Sequence, residues 1–168
     1  MKFSCFTLMA MLVPVMPFAI ADTYRRTLPG EIVVTVVDRP FSVSEHHVRG
    51  CVNARMCFVD NVPALGTTSL PTDEIESISV SVEGMTYRLQ ASGMFNARVA
   101  LRNGGISRIS GFCYDRRNCE FRGRFGNGGR SYFAEWVVKN GTATRTVLSP
   151  SMDVGWLFDD NPSPPKYE

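Results

Sequence analysis

Histidine is scarce in this sequence: the chain has two, His46 and His47. Adjacent side chains on a strand point to opposite faces, so the two imidazoles do not readily bind one metal. With Glu45 and Arg49 beside them, they indicate an exposed polar stretch. We therefore expect neither a histidine-based catalytic site nor a histidine metal site.

Recognisable catalytic motifs are also missing. The sequence has no G-x-S-x-G context of serine hydrolases and no C-x-x-C redox pair. The glycines at 126–129 lie between strand-like segments, so they predict a turn rather than a phosphate-binding loop. Adjacent acids such as Asp73-Glu74 and Asp159-Asp160 are more typical of solvated surface than of glycosidase carboxylates. A catalytic site needs several groups that converge on one spot, so we predict a protein that is not an enzyme and uses no cofactor.

Only one apolar run approaches the length that crosses a membrane, and it lies at the N-terminus. Lys2 precedes it, residues 3–18 are mostly apolar, and Ala19-Ile20-Ala21 forms a small-x-small cleavage box. This order is typical of a secretory signal peptide, and a retained membrane anchor is the alternative. We expect removal of residues 1–21, no membrane insertion of the remainder, and a periplasmic or secreted location.

The expected mature chain, residues 22–168, has the length of one domain with its own hydrophobic core. Loss of Lys2 reduces the net charge from +2 to +1, which predicts no nucleic-acid partner. We expect a single β-rich domain over residues 22–158. The acidic, proline-rich stretch 159–168 is expected to form a flexible tail.

Four cysteines remain after removal of the signal peptide: Cys51, Cys57, Cys113 and Cys119. An even number in an exported chain predicts two disulfides. Three pairings are possible, and closeness in sequence favours Cys51–Cys57 and Cys113–Cys119. A zinc site is the alternative, but zinc ligands commonly have two to four residues between them, whereas each of these cysteine pairs has five, so we expect no metal.

Strand signals dominate the rest of the sequence. Residues 31–37 form a β-branched run, and residues 77–83 alternate between polar and apolar. Glu83-Gly84 and Asn140-Gly141 predict tight turns between strands. The pattern predicts a mostly β fold of antiparallel hairpins, packed as a β-sandwich or a small barrel.

Other local signals are weaker. Asn103-Gly104-Gly105 predicts a turn between a segment at 97–101 and a segment at 106–112. Long helical periodicity is missing, and a single helical turn is predicted at Thr72-Asp73-Glu74. The spacing of Cys51–Cys57 matches that of Cys113–Cys119, and the turn glycines Gly84 and Gly141 follow in similar contexts. Two similar halves would explain this match, and so would hairpin geometry alone.

A stretch from Arg98 to Arg130 concentrates positive charge: eight arginines against two acids give it a local charge of +6. Arginine interleaved with aromatics is typical of protein interfaces and of single-strand nucleic-acid platforms, and export disfavours the second. Ordinary alternation of buried aromatics and exposed arginines also explains the pattern. A loop closed by a disulfide loses little entropy on binding, so loop 114–118 is the best contact candidate and loop 52–56 the second. The predicted partner-contact residues are Tyr114, Arg116, Arg117, Arg122 and Arg124.

Three functions fit these observations. The first is an exported binding protein that occludes a protein partner, such as an immunity or inhibitor protein against an envelope-targeting toxin or hydrolase. The second is a structural or assembly component of a secreted or surface apparatus, because exposed strand edges can pair with other chains. The third is an envelope hydrolase with scattered site residues, which the sequence favours least.

Overall fold

The computed structural model of the protein describes residues 20–52 and 56–160. The predicted signal peptide lies outside the described residues except for Ile20 and Ala21. The strands are β1 (Asp22–Leu28), β2 (Ile32–Pro40), β3 (Val48–Arg49), β4 (Phe58–Val59), β5 (Val62–Pro63), β6 (Asp73–Val82), β7 (Met85–Leu89), β8 (Ile109–Asp115), β9 (Asn118–Phe125), β10 (Tyr132–Lys139) and β11 (Thr142–Ser149). The α-helices are α1 (Arg98–Arg102) and α2 (Met152–Asp160), and single 3-10 turns cover Val43–Glu45, Gly105–Arg108 and Gly128–Arg130.

Two four-stranded sheets make up most of the fold. The first sheet has the order β1-β2-β6-β7, and the second has the order β11-β10-β9-β8. All neighbouring strands in both sheets are antiparallel. Neither sheet closes on itself within the described strands. The predicted mostly β fold of antiparallel hairpins is therefore confirmed, as an open sandwich rather than a barrel.

One hydrophobic core fills the space between the two sheets. Val34 and Val36 enter it from the first sheet, and Phe121 and Trp136 enter it from the second; all four are fully buried. The indole N–H of Trp136 donates to the carbonyl of Gln90 at 3.0 Å, so the polar atom of this side chain is satisfied. The alternation in the sequence thus places one face of each sheet in the core and the other face outward.

The two strongest predicted turns are present as predicted. Glu83 and Gly84 have φ angles of +45° and +77° between β6 and β7. Asn140 and Gly141 have φ angles of +53° and +82° between β10 and β11. Two successive residues with positive φ match the right-handed twist of the flanking strands, which is why these residue pairs close hairpins.

A small three-stranded sheet, β3-β4-β5, is inserted between β2 and β6. The Cys51–Cys57 disulfide joins the segment that follows β3 to the segment that precedes β4. A second, smaller hydrophobic cluster that includes Val59 and Phe95 packs beneath it. Loop 52–56, the second contact candidate, contains residues 53–55, which lie outside the described residues.

The two predicted halves correspond only in part. Each half ends in an equivalent hairpin, β6–β7 around Gly84 and β10–β11 around Gly141. The two cysteine blocks, in contrast, occupy different places: Cys113–Cys119 joins paired strands of the second sheet, whereas Cys51–Cys57 belongs to the inserted sheet. The matching cysteine spacing therefore does not mark equivalent positions in the two sheets.

The segment at 97–101 is not a strand. Residues 98–102 form helix α1, and β8 begins only at Ile109. The backbone N–H of Arg98 donates to Asp73 Oδ1 at 2.9 Å, so a side chain distant in sequence caps the first turn of this short helix. The turn of helix predicted at 72–74 is wrong as well, because β6 begins at Asp73 and pairs with the end of β2.

Helix α2 has no counterpart in the sequence-based prediction. It starts after Ser151, whose hydroxyl accepts the backbone N–H of Asp153 at 3.2 Å, as an N-cap does. It continues through Asp160, into the stretch assigned to the flexible tail, and residues 161–168 lie outside the described residues. No helix of the described part is long and apolar enough to cross a membrane.

Both local disulfides, Cys51–Cys57 and Cys113–Cys119, are present as predicted. Replacing Cys113 and Cys119 together by alanine is expected to lower the free energy of unfolding by about 2 kcal/mol, because the crosslink limits the unfolded chain over a short loop. Urea denaturation of the variant and the parent protein measures this difference. A loss below roughly 0.5 kcal/mol would show that the crosslink does little beyond the existing β8–β9 pairing.

Candidate protein-contact site

The hairpin between β8 and β9 carries the loop that the sequence favours for partner contact. Its tip is the two-residue turn Arg116-Arg117, and the disulfide joins Cys113 and Cys119, which lie opposite each other in the strand register. The carboxylate of Asp115 accepts the backbone N–H of Arg117 at 2.6 Å and the side-chain amide of Asn118 at 2.8 Å. The tip is thus closed by a covalent bond and by a side-chain turn motif.

Two neighbouring hairpins hold this tip from behind. The hydroxyl of Tyr87 donates to the carbonyl of Arg116 at 2.6 Å. The backbone N–H of Gly141 donates to the carbonyl of Arg117 at 2.9 Å, and Arg117 Nη2 donates to the carbonyl of Asn140 at 2.9 Å. These contacts fix the backbone of the tip against β7 and the β10–β11 turn.

The tip presents one aromatic ring and two guanidinium groups to solvent. Tyr114 is 45% exposed, while its hydroxyl donates to Glu120 at 3.3 Å. Arg116 and Arg117 are both exposed, but Arg117 is tied to Asn140. Within the described part of the chain, the guanidinium of Arg116 has no hydrogen-bond or ion-pair partner. Tyr114 and Arg116 are therefore the predicted residues best placed to contact another molecule.

A groove of about 540 Å³ adjoins the tip on the outer face of the second sheet. Tyr114, Glu120, Val137 and Lys139 are among its lining residues. Glu120 is 6% exposed, and burial raises the pKa of its carboxyl above the usual range. The groove offers a partly apolar floor with two carboxyl groups, those of Asp115 and Glu120, and the ammonium group of Lys139, which suits a polar side chain of a partner.

The other two predicted contact residues lie on the same face but away from the tip. Arg122 is 7% exposed; its Nε lies 2.6 Å from Glu135 Oε2, and its guanidinium stacks 4.7 Å over the ring of Phe158 from α2. Arg124 is half-buried over the ring of Phe133. The alternation in the sequence places both arginines outward, and α2 then covers that part of the sheet.

Helix α2 contributes exposed apolar side chains that the sequence does not single out. Its inner side packs on the sheet through Phe158 and through Gly155, which lies so close to the ring of Phe133 that no side chain fits there. Its outer side leaves Met152, Trp156 and Leu157 exposed at 45%, 62% and 53%. The outer face of the second sheet is thus bounded by the hairpin tip and by an apolar helix.

The side chain of His46 lies in a different environment from the one that the sequence predicts. The sequence predicts His46 in an exposed polar stretch, but its side chain is only 13% exposed. It lies between Asp60 and Glu74, and although burial opposes the charge, these two carboxylates raise the pKa of His46. The prediction holds for its neighbour His47, which is exposed. No local sequence signal distinguishes the two histidines, because both carboxylates come from distant segments.

Comparison of the chain with protein-family models, with curated proteins and with solved structures found no match.

Proposed function

We propose that this is an exported binding protein that occludes a protein partner, in the manner of an immunity or inhibitor protein against an envelope-targeting toxin or hydrolase. The observation that supports it best is the β8–β9 tip, which is closed by a disulfide, held by two neighbouring hairpins, and presents Tyr114 and Arg116 outward. The two disulfides are also compatible with an oxidising compartment outside the cytoplasm.

In this proposal the tip enters an acidic cleft of the partner. The guanidinium of Arg116 would pair with a carboxylate through two parallel hydrogen bonds, a geometry that lysine does not provide. The ring of Tyr114 would pack beside it with little loss of side-chain entropy. Because the backbone of the tip is already fixed, association would not have to order it, which favours tight binding.

The apolar side of α2 favours a second candidate, a subunit of a secreted or surface assembly. Exposed Trp156 with Met152 and Leu157 forms a patch that suits burial against another chain. A monomer at all concentrations would favour the first candidate, and a concentration-dependent oligomer would favour the second. Size-exclusion chromatography at protein concentrations that span about a hundredfold distinguishes the two candidates, because weak self-association depends on concentration over a range of that order.

Charge reversal at the tip tests the proposed contact. The mature protein is immobilised, its partner is captured from an envelope extract, and the affinity for the captured protein is then measured. Arg116→Glu is expected to weaken binding by roughly 30-fold or more, because it replaces a central interface arginine by a repelling charge. Arg25→Glu, an exposed charge reversal on β1 of the other sheet, should leave binding unchanged.

Equal affinity of the two charge-reversed variants for the captured protein would overturn the assignment of the tip. Tyr114→Ser should also weaken binding while leaving the fold intact, since the ring is nearly half-exposed. Arg117 is unsuitable for this test, because its side chain also supports the tip through Asn140.

A further inference from the structure

A cluster of five charged side chains lies where the inserted sheet meets the first sheet. Arg39 and Glu74 face each other across the β2–β6 pair, Glu45 and His46 follow in the connection after β2, and Asp60 lies in the turn between β4 and β5. The side chains of Glu74 and His46 are 9% and 13% exposed, so the centre of the cluster is shielded from water. Nothing in the proposed partner contact uses these residues.

Both ring nitrogens of His46 face carboxylate oxygens. Nδ1 lies 2.7 Å from Asp60 Oδ2, and Nε2 lies 3.0 Å from Glu74 Oε2. The ring also stacks on Phe41 with a centroid distance of 4.8 Å and an interplanar angle of 10°, which fixes its plane. With a proton on Nδ1 donated to Asp60, Nε2 either carries a second proton toward Glu74 or, in the neutral ring, directs its lone pair there. A cation, either a proton or a metal ion, must lie between these two acceptors.

The environment of Nε2 has the ligands of a metal site. Ligand atoms of Glu45, His46 and Glu74 all lie within 4.8 Å of one another. Arg39 binds one oxygen of each glutamate, at 2.8 Å for Glu45 and 2.7 Å for Glu74, and so holds both carboxylates in place. The second oxygen of each carboxylate remains for a metal ion.

We propose that Glu45, His46 and Glu74 bind a Zn²⁺ ion. Zinc takes imidazole nitrogen and carboxylate oxygen at about 2.0–2.2 Å, which puts neighbouring ligands roughly 3.3 Å apart, close to the present spacing of Nε2 and Glu74 Oε2. Asp60 on Nδ1 supplies the outer carboxylate that commonly orients a zinc-binding histidine. Binding would displace one proton, the one that Nε2 otherwise carries.

The charge of the cluster also favours a divalent ion. Three carboxylates outnumber Arg39 and a protonated His46, which leaves a net negative charge around the shielded side chains of His46 and Glu74. Exchange of the Nε2 proton for Zn²⁺ brings the combined formal charge of these five side chains and the ion to zero. Shielded charges are stabilised when they are balanced in this way.

The site opens into a cavity of about 610 Å³, which Arg39, His46, Asp60 and Glu74 line on one side. Three protein ligands leave one position of a tetrahedral zinc ion free for water or for a ligand from this cavity. The arrangement is therefore of the open kind rather than the closed four-ligand kind that only supports a fold.

Zinc titration of the chelator-treated mature protein tests the proposal, with the adjacent histidine as a matched control. Isothermal titration calorimetry should give one Zn²⁺ per chain, binding abolished by His46→Gln and unchanged by His47→Gln. Asp60→Asn should weaken binding by about 10-fold or more, because it removes the group that orients the imidazole. Titration in buffers of different ionisation enthalpy should report release of about one proton.

Thermal unfolding gives an independent readout. Excess zinc should raise the Tm of the parent protein and of His47→Gln, but not of His46→Gln. Should His46→Gln fail to fold, Glu45→Gln replaces it as the test variant, and excess zinc should not raise its Tm as it does that of the parent protein. The Glu45 side chain is 51% exposed, and its replacement leaves the Arg39–Glu74 pair intact. No saturable zinc binding by the parent protein, or an equal loss in His46→Gln and His47→Gln, would overturn the proposal.

Discussion

Replacing Arg98 with methionine is expected to lower the free energy of unfolding by about 2–3 kcal/mol at pH 8. Arg98 Nε donates to Asp38 Oδ2 at 2.6 Å, and Asp38 is fully buried. Without the guanidinium, this carboxyl must stay charged without its partner or take up a proton, and both cost free energy. Methionine keeps much of the arginine stem, so the loss reflects charge more than packing. Urea denaturation measures the change.

Arg102 provides the matched control. It lies one turn later in α1, its side chain is 58% exposed, and it pairs with the half-buried Asp22 at 2.6 Å. Arg102→Met should therefore change stability far less than Arg98→Met, since an exposed ion pair contributes little. A similar small effect of both substitutions at pH 8 would show that Asp38 does not depend on Arg98.

Removing the partner of Arg98 as well separates charge from structure. The double variant Asp38→Asn with Arg98→Met should recover most of the stability lost in Arg98→Met, because no buried charge then remains. The penalty of Arg98→Met alone should also shrink toward pH 5, where Asp38 is mostly neutral with or without the arginine. Persistence of the full penalty at pH 5 would assign it to packing of α1 instead.

The strands of this fold could be predicted from the sequence because their signals are local. Alternation at 77–83 marks β6, and the turn pairs Glu83-Gly84 and Asn140-Gly141 adopt the backbone that such residues favour. The pairing of the cysteines also followed from their closeness in sequence. Each of these features depends on residues within one hairpin or one loop.

The helices could not be predicted in the same way because distant residues stabilise them. α1 has five residues, and its first turn is capped by Asp73, which lies 25 residues earlier in the chain. α2 contains Gly155, a poor helix former, and this glycine fits because the ring of Phe133 leaves no room for a side chain. In both cases a tertiary contact overrides a weak local propensity.

The candidate sites show the same division. Tyr114 and Arg116 could be predicted as contact residues because a local cysteine pair closes their loop, and both are exposed at the hairpin tip. The alternation of aromatics and arginines also places Arg122 on the outer face of the sheet, but α2, a helix that the sequence does not reveal, covers it there. His46 acquires its partners from β6 and from the β4–β5 turn, 28 and 14 residues away, so only the folded chain distinguishes it from His47.

The stability of the parent protein is expected to fall as the pH rises from about 4 to about 6. Burial raises the pKa of Asp38 from 3.8 to about 6; hydrogen bonding to Arg98 opposes the shift and the charge of Asp73 adds to it. The folded protein therefore keeps this proton over a range in which the unfolded chain has already released it. The stabilisation is complete below the unfolded pKa and is lost once the pH passes the folded one.

The expected loss is up to about 3 kcal/mol, since each unit of pKa difference corresponds to about 1.4 kcal/mol. Urea denaturation between pH 4 and pH 8 measures this loss, and the Asp38→Asn variant isolates it, because an asparagine does not titrate.

Other groups also make the stability depend on pH, to the same extent in the parent protein and in the variant. Glu120, whose pKa is raised, acts in the same direction as Asp38. The exposed Asp60 and Asp115, whose pKa values are lowered, act in the opposite direction. These contributions cancel when the two curves are subtracted. The difference should therefore change between pH 4 and pH 6 and stay level above, whereas parallel curves would mean that Asp38 titrates in the folded protein as it does in the unfolded chain.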